Sequence, residues 1–300
     1  MPSVKQYRDY DDLIALLVER GMDIGGREGA IRELKRVSYY RLSGYWYPFR
    51  KLENAARQDD FYPGTTLVAV LDLYRFDQGL RSMTFAALGN IELAVRASLG
   101  HALGALDEGA HLRRDCLGPT AQGRAYDDWV AKLGRARDES REDFIEHHAR
   151  WYVGTLPVWV AVELLDWGGL ARLYGFATRA VQDRVAVEFN LSAPQFGSWL
   201  KALNVVRNVC AHHGRLFNRV FAIAPKLPTP GRFPQLDECG PFTRAFGHLS
   251  MIQFLLAQRG LGKLALLPAV LKGFPSMPTV NITHLGAPRN WAELALWKST

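Results

Sequence analysis

Apolar residues recur at steps of three and four along almost the whole chain, separated by short polar breaks, which is the helical period. Asp11 and Asp12 open an amphipathic segment, Leu13 to Val18, that stops near Gly21, and a second short helix is expected over Ala30 to Val37. The stretch from Tyr39 to Phe49 is crowded with Tyr, Trp and Phe. Such rings either stack the bases of a single strand or pack an N-terminal element on a core, and the second reading is preferred. After a polar loop over 54–63, Thr65 or Thr66 caps a long helix. Its face runs through Leu73, Phe76, Leu80, Met83, Ala87, Ile91, Ala94, Ser98 and Ala102, with Gly79 and Gly89 as points of bending.

Beyond a Gly-containing break at 107–121, helices are expected at Tyr126 to Arg137, Val158 to Phe176, Val181 to Phe189 and Thr243 to Arg259. Five prolines between 225 and 241 predict an extended connection, and the tail after Phe274 reads as irregular, with a short helix around Trp291. No convincing strand alternation and no internal repeat is found. The fold class is all-α, divided into an N-terminal helical and aromatic segment (1–63), a helical core (64–222) and a Pro-containing C-terminal extension (223–300).

The best-delimited helix lies after Ser192, which forms a capping-box pattern with Gln195, with Pro194 in the first turn and Gly214 as the expected left-handed stop. Phe196, Trp199, Leu200, Leu203, Val206 and Cys210 fall on one apolar stripe. Arg207 falls inside that stripe. A guanidinium there must meet a carboxylate, reach past its neighbours, or line a site or subunit interface. Asn204, Asn208 and His212 follow at four-residue steps on a polar face. His212 and His213 sit in the last turn, where helix carbonyls favour a protonated imidazole.

Composition narrows the chemistry. Hydrophobic residues make up 48% of the 300, enough for a sizeable core. A net charge of +7 favours a polyanionic partner. Cys116, Cys210 and Cys239 are too far apart for a zinc knuckle or disulfide framework, and His147 with His148 lacks a companion ligand set. The polar start, Met1 to Tyr10, has no signal-peptide core, and no apolar run is long enough for a bilayer, so a cytoplasmic protein without membrane contact is expected.

Arginine can bind a phosphate through two parallel hydrogen bonds, and histidine can take or give a proton near neutral pH. Together they suit RNA cleavage through the 2′-hydroxyl, which requires no metal or other cofactor. One difficulty is geometric: five residues place Arg207 and His212 about 140° apart around a straight helix. The reach of Arg207, a distorted final turn, or a site shared by two subunits would each resolve it, and the last favours a homodimer. His213 is an alternative working histidine. Glu92, Arg96 and Glu163 are candidate partners of Arg207, although Glu92 and Arg96 also suit a simple ion pair. Arg215 and Arg219 are candidate RNA-backbone contacts, and Arg113 with Arg114 reads as a solvated loop pair.

Several segments then carry a resemblance. Tyr39-Tyr-Arg-Leu-Ser-Gly-Tyr45, Tyr74 to Arg81, Ile91 to Arg96, Leu156-Pro-Val-Trp159 through Glu163, and Val206 to Asn218 resemble, in order, the Abi-2 (AbiD/AbiF-like) abortive-infection family. Arg207-Asn208-x-x-x-His212 resembles the HEPN ribonuclease motif. The resemblance implies a HEPN-like helical bundle, RNA cleavage, a dimer, a role in phage defence and a restraint before infection by an RNA or a protein. Carried over, Arg207 and His212 are the catalytic pair and Asn208 orients the site. The alternatives are a non-catalytic RNA-binding or sensor module on the same bundle, and a structural interaction protein.

Overall fold

Helices α1 (Tyr10–Glu19), α2 (Arg27–Val37) and α3 (Tyr39–Trp46) lead into an antiparallel hairpin of β1 (Arg50–Glu53) and β2 (Ala56–Phe61) in the computed structural model, which describes residues 4–298. Next come α4 (Leu67–Gly104), a string of 3-10 turns, α5 (Arg124–Glu139) and α6 (Asp143–Trp151). Helices α7 (Val158–Ala161), α8 (Trp167–Phe176), α9 (Arg179–Val187) and α10 (Ala193–Ala211) follow. The C-terminal part holds α11 (Pro234–Asp237), α12 (Ala245–Arg259) and α13 (Leu266–Lys272). The protein is mostly helical, and among the described residues none of its helices is both long and apolar enough to cross a membrane.

α4 is the axis of the molecule. Thr66 caps it, accepting the Ala69 N–H at 3.1 Å, and α3, α7, α9, α10, α12 and α13 all pack on it. Glycines let one neighbour come close: a Cβ at Gly100 would lie 3.1 Å from the Cα of Trp159, and one at Gly104 would lie 2.8 Å from its ring. Buried apolar residues from Ile14 to Trp297 form one cluster, so the segments 1–63 and 223–300 share the core of 64–222. The aromatic stretch serves this core through Tyr45, Trp46 and Phe49, while Tyr40 and Tyr47 stay exposed. The tail docks as well, because Trp297 donates its indole N–H to Ser250 Oγ at 3.0 Å and stacks on Phe246.

Three local expectations are corrected. The 54–63 loop is largely strand, turned by Asn54 and Ala55, which both have positive φ (49° and 62°) as a tight hairpin requires. The expected helix from Val158 to Phe176 is broken at Leu165. The Glu163 and Leu165 carbonyls accept from Arg96, and Asp166 starts a new helix by capping the Gly169 N–H at 2.7 Å. α13 fills a stretch for which no helix is expected.

His111 is buried, its Nδ1 has no partner, and burial pushes its imidazole down to about 4. The folded state therefore holds this ring neutral where the unfolded chain would protonate it. Its contribution is complete above about pH 6.5 and is lost as pH falls toward 4, by up to about 3 kcal/mol. Urea unfolding at pH 7 and pH 4.5 checks this. His111→Leu is expected to lose markedly less stability than the wild type over that interval, and equal losses would remove His111 as a cause.

Candidate active site

α10 carries the Arg-Asn-x-x-x-His string. Its start is fixed by Gln195, whose side-chain oxygen accepts the Ser192 N–H at 3.0 Å, and by Trp199, whose indole donates to the Lys226 carbonyl at 2.9 Å. The whole stripe from Phe196 to Cys210 is buried as expected. Burial also pushes the Cys210 thiol up to about 12, so it stays protonated and is a poor nucleophile.

The helix end differs from expectation. Gly214 N–H donates to the Val209 carbonyl at 2.7 Å and His213 N–H to the Cys210 carbonyl at 3.2 Å, the crossed pair of a Schellman stop. The left-handed residue is therefore His213, with φ of 56°, and not Gly214. Gly214 is instead closely packed: a Cβ there would lie 3.1 Å from the Val209 side chain and 3.2 Å from its carbonyl oxygen. Arg41 donates its guanidinium to the His213 carbonyl, so α3 delivers a cation to this helix end.

Just past the stop, the chain is anchored to α4 by a residue for which the sequence reading assigns no role. Asp77 is fully buried and accepts from Tyr45 Oη at 2.6 Å, from the Phe217 N–H at 2.8 Å, from the Leu216 N–H at 3.4 Å and from Arg81. Burial pushes the Asp77 carboxyl up, while Arg81, Tyr45 and the two amides favour its charged form. The signal was available: Asp77 and Arg81 are four residues apart on an otherwise apolar face.

Beside α10 lies a groove of about 720 Å³, walled by α5 and α8. Two tryptophans fix its walls: Trp129 donates to the Gly169 carbonyl at 3.0 Å, and Trp167 donates to the Leu200 carbonyl at 2.8 Å. Arg207, Asn208 and Asn204 line it from α10, facing Lys132 and Asp166, which pair at 2.6 Å. Burial opposes the charge of Asp166. Lys132 and the Gly169 amide, with Arg207 behind them, nonetheless hold its carboxyl below the usual range. Arg207 is half-buried over the ring of Phe85, 5.4 Å from guanidinium carbon to centroid. Among the described residues no acid lies within ion-pairing distance of it, and its Nε has no hydrogen-bond partner.

The groove therefore unites Arg207 with Asn208 and leaves out the histidines. His212, the C-cap residue, and His213 are exposed and do not line it. His212 stands one turn beyond Asn208 on the same face, about 6 Å further along the axis. Glu92, Arg96 and Glu163 form a separate cluster. Arg96 meets Glu92 at 2.6 Å and Glu163 at 3.2 Å, bracing α4 against the segment after α7 and making no bond to Arg207. Arg215 points inward, donating to the Gly44 carbonyl, and burial pushes its guanidinium down. That placement corrects its reading as an RNA-backbone contact. Arg219 donates to the Arg215 carbonyl at 3.3 Å and lies over Phe221. Arg113 and Arg114 pair with Asp107, Asp115 and Asp127. Among the described residues no three His, Cys, Asp or Glu side chains converge as a metal-ligand set, and His147 and His148 contact Tyr152.

These elements, from α2 to the Asp77 anchor, coincide with a family match. The chain fits the model of Abi-like proteins over residues 32–218 and belongs to that abortive-infection family. No curated protein and no solved structure matches it.

Replacing Asp77 with Ala leaves Arg81 as a buried charge and two amides without an acceptor. Stability should fall by about 3–5 kcal/mol, read from guanidinium unfolding. A loss under about 1 kcal/mol would show that the anchor is not what secures the α10 stop.

Proposed function

We propose that the chain is a metal-independent endoribonuclease that acts as an abortive-infection toxin, with Arg207, Asn208 and His212 at its centre. The observation that carries this reading is the guanidinium of Arg207, recessed in a groove beside Asn208 and matched by no acid within ion-pairing range. A cation held in that way has its electrostatic capacity free for an anion from outside.

In the reaction the RNA 2′-oxygen bonds to the adjacent phosphorus and the bond from phosphorus to the 5′-oxygen breaks. One group takes the 2′-hydroxyl proton, and another protonates the departing oxygen. Arg207 meets the charge that builds on the phosphorane, Asn208 orients the phosphate, and His212 serves as a proton carrier. His213, held in a left-handed backbone, is the less suited of the two histidines. Because Arg207 and His212 point about 140° apart on the helix, a homodimer supplies the missing convergence. Phe85, 42% exposed beside Arg207, and Leu93, 60% exposed two turns along α4, offer apolar surface for it. The position of His212 outside the groove favours the second reading, an RNA-binding module without catalysis.

Purified protein incubated with labelled RNA in EDTA separates the two. Arg207→Ala and His212→Ala are expected to lower cleavage by about a hundredfold or more, to abolish growth toxicity, and to leave thermal unfolding unchanged. Full cleavage by either variant removes that residue from the mechanism. Products should end in a 2′,3′-cyclic phosphate, and 3′-hydroxyl ends would point to a different chemistry. RNA binding by the wild type without cleavage would establish the module instead.

A further inference from the structure

The groove beside α10 holds more positive charge than the motif accounts for. Lys132, Arg172, Lys201 and Arg207 all line it, against the single acid Asp166. Arg172 and Lys201 are exposed and, like Arg207, make no ion pair. That acid is already engaged, with one oxygen on the Gly169 amide and the other on Lys132. It therefore presents no free charge to repel an incoming anion. Elsewhere arginines are commonly neutralised close by, as at Arg20 with Asp59, Arg179 with Asp183 and Arg259 with Glu188.

We propose that this groove is a track for the backbone of single-stranded RNA, in which Lys201 and Arg172 hold the phosphates that flank the one at Arg207. Three unpaired cations along one concave surface give successive contacts to a polyanion. The recessed position of Arg207 selects a single strand, whose backbone can enter a groove, over an A-form duplex, whose phosphates lie on a convex cylinder. Asn204 and Asn208, four residues apart on the same wall, add amide donors and acceptors for bases or 2′-hydroxyls. The track rests on the ribonuclease reading only for the choice of RNA as the polyanion. Lys201 and Arg172 bind and do not take part in the chemistry.

The test is made in the His212→Ala background, so that binding is read whether or not the wild type cleaves. A fluorescein-labelled single-stranded RNA is titrated at several salt concentrations. Arg172→Ala/Lys201→Ala is expected to weaken binding about fivefold or more and to reduce the slope of log K against log salt by about 1.4, two contacts' worth. Arg184→Ala/Lys263→Ala removes two exposed, unpaired cations outside the groove and should change neither. Equal effects of the two pairs, an unchanged slope, or a duplex bound as tightly as the single strand would each overturn the track. Cleavage by the wild type with unaltered binding by Arg172→Ala/Lys201→Ala would overturn the track alone. Loss of binding in that pair, with no cleavage by the wild type, would uphold the track and overturn the ribonuclease.

Discussion

The buried carboxylate of Asp77 is the constraint on which the rest of the structure depends. Everything that reaches it is a donor: a phenol, a guanidinium and two backbone amides. Burial pushes the Asp77 carboxyl up, and the guanidinium, the two amides and the phenol oppose that by favouring the charged form; only the Tyr45 oxygen, which already accepts from Arg81 at 3.1 Å, could receive a proton from it in turn. Tyr45 stays protonated, since burial and the neighbouring Asp77 both push its phenol up. One side chain thereby fixes α3, α4 and the strand of chain that follows α10. A buried charge of this kind adds little net stability against a well-packed apolar core, but it specifies one arrangement of three elements.

That arrangement decides how the motif helix ends. Phe217 and Leu216 are held on Asp77, so the chain must leave α10 within a few residues of Cys210. The Schellman stop, the positive φ of His213 and the close passage of Gly214 over Val209 are the short route that satisfies this. Arg41 and Arg215 then stitch α3 to the same corner from opposite directions, one on the His213 carbonyl and one giving its guanidinium to Gly44. The surroundings of the histidines are therefore built from residues 38–45 and 213–217 together. Both stretches lie within the family match, which spans residues 32–218.

How far all this could be read from the chain depended on whether its cause was local. The capping box at Ser192, the buried stripe of α10 and the long face of α4 are periodic signals, and they were legible. The hairpin at 50–61 was not, because Ala55 stands where Gly would have marked the turn and the strands are too polar to alternate. The break at Leu165 was hidden for another reason: the groups that divert its carbonyls belong to Arg96, on a different helix. Gly214 reads as the left-handed residue because glycine tolerates that conformation best. The residue that takes it is His213, and Gly214 packs closely against Val209, a contact that sequence spacing does not encode. Asp77 was readable in part, since an acid and an arginine four apart on an apolar face announce a buried pair, but its remaining partners come from distant segments.

Arg207 is the counter-example to Asp77, and the contrast bears on function. Both are charged groups set on mostly apolar faces of packed helices. Asp77 is satisfied within the fold on every side, whereas Arg207 has a ring beneath it, a carboxylate beyond pairing distance and an Nε without a partner. A fold that can bring four donors to one carboxylate has the means to bring one acid to a guanidinium. Asp166 could have filled that role, but its oxygens are turned to Lys132 and to the cap of α8. Phe85 supports the cation without neutralising it, because an aromatic face attracts positive charge and carries none. The outcome is a half-buried positive centre with no acid within pairing distance among the described residues.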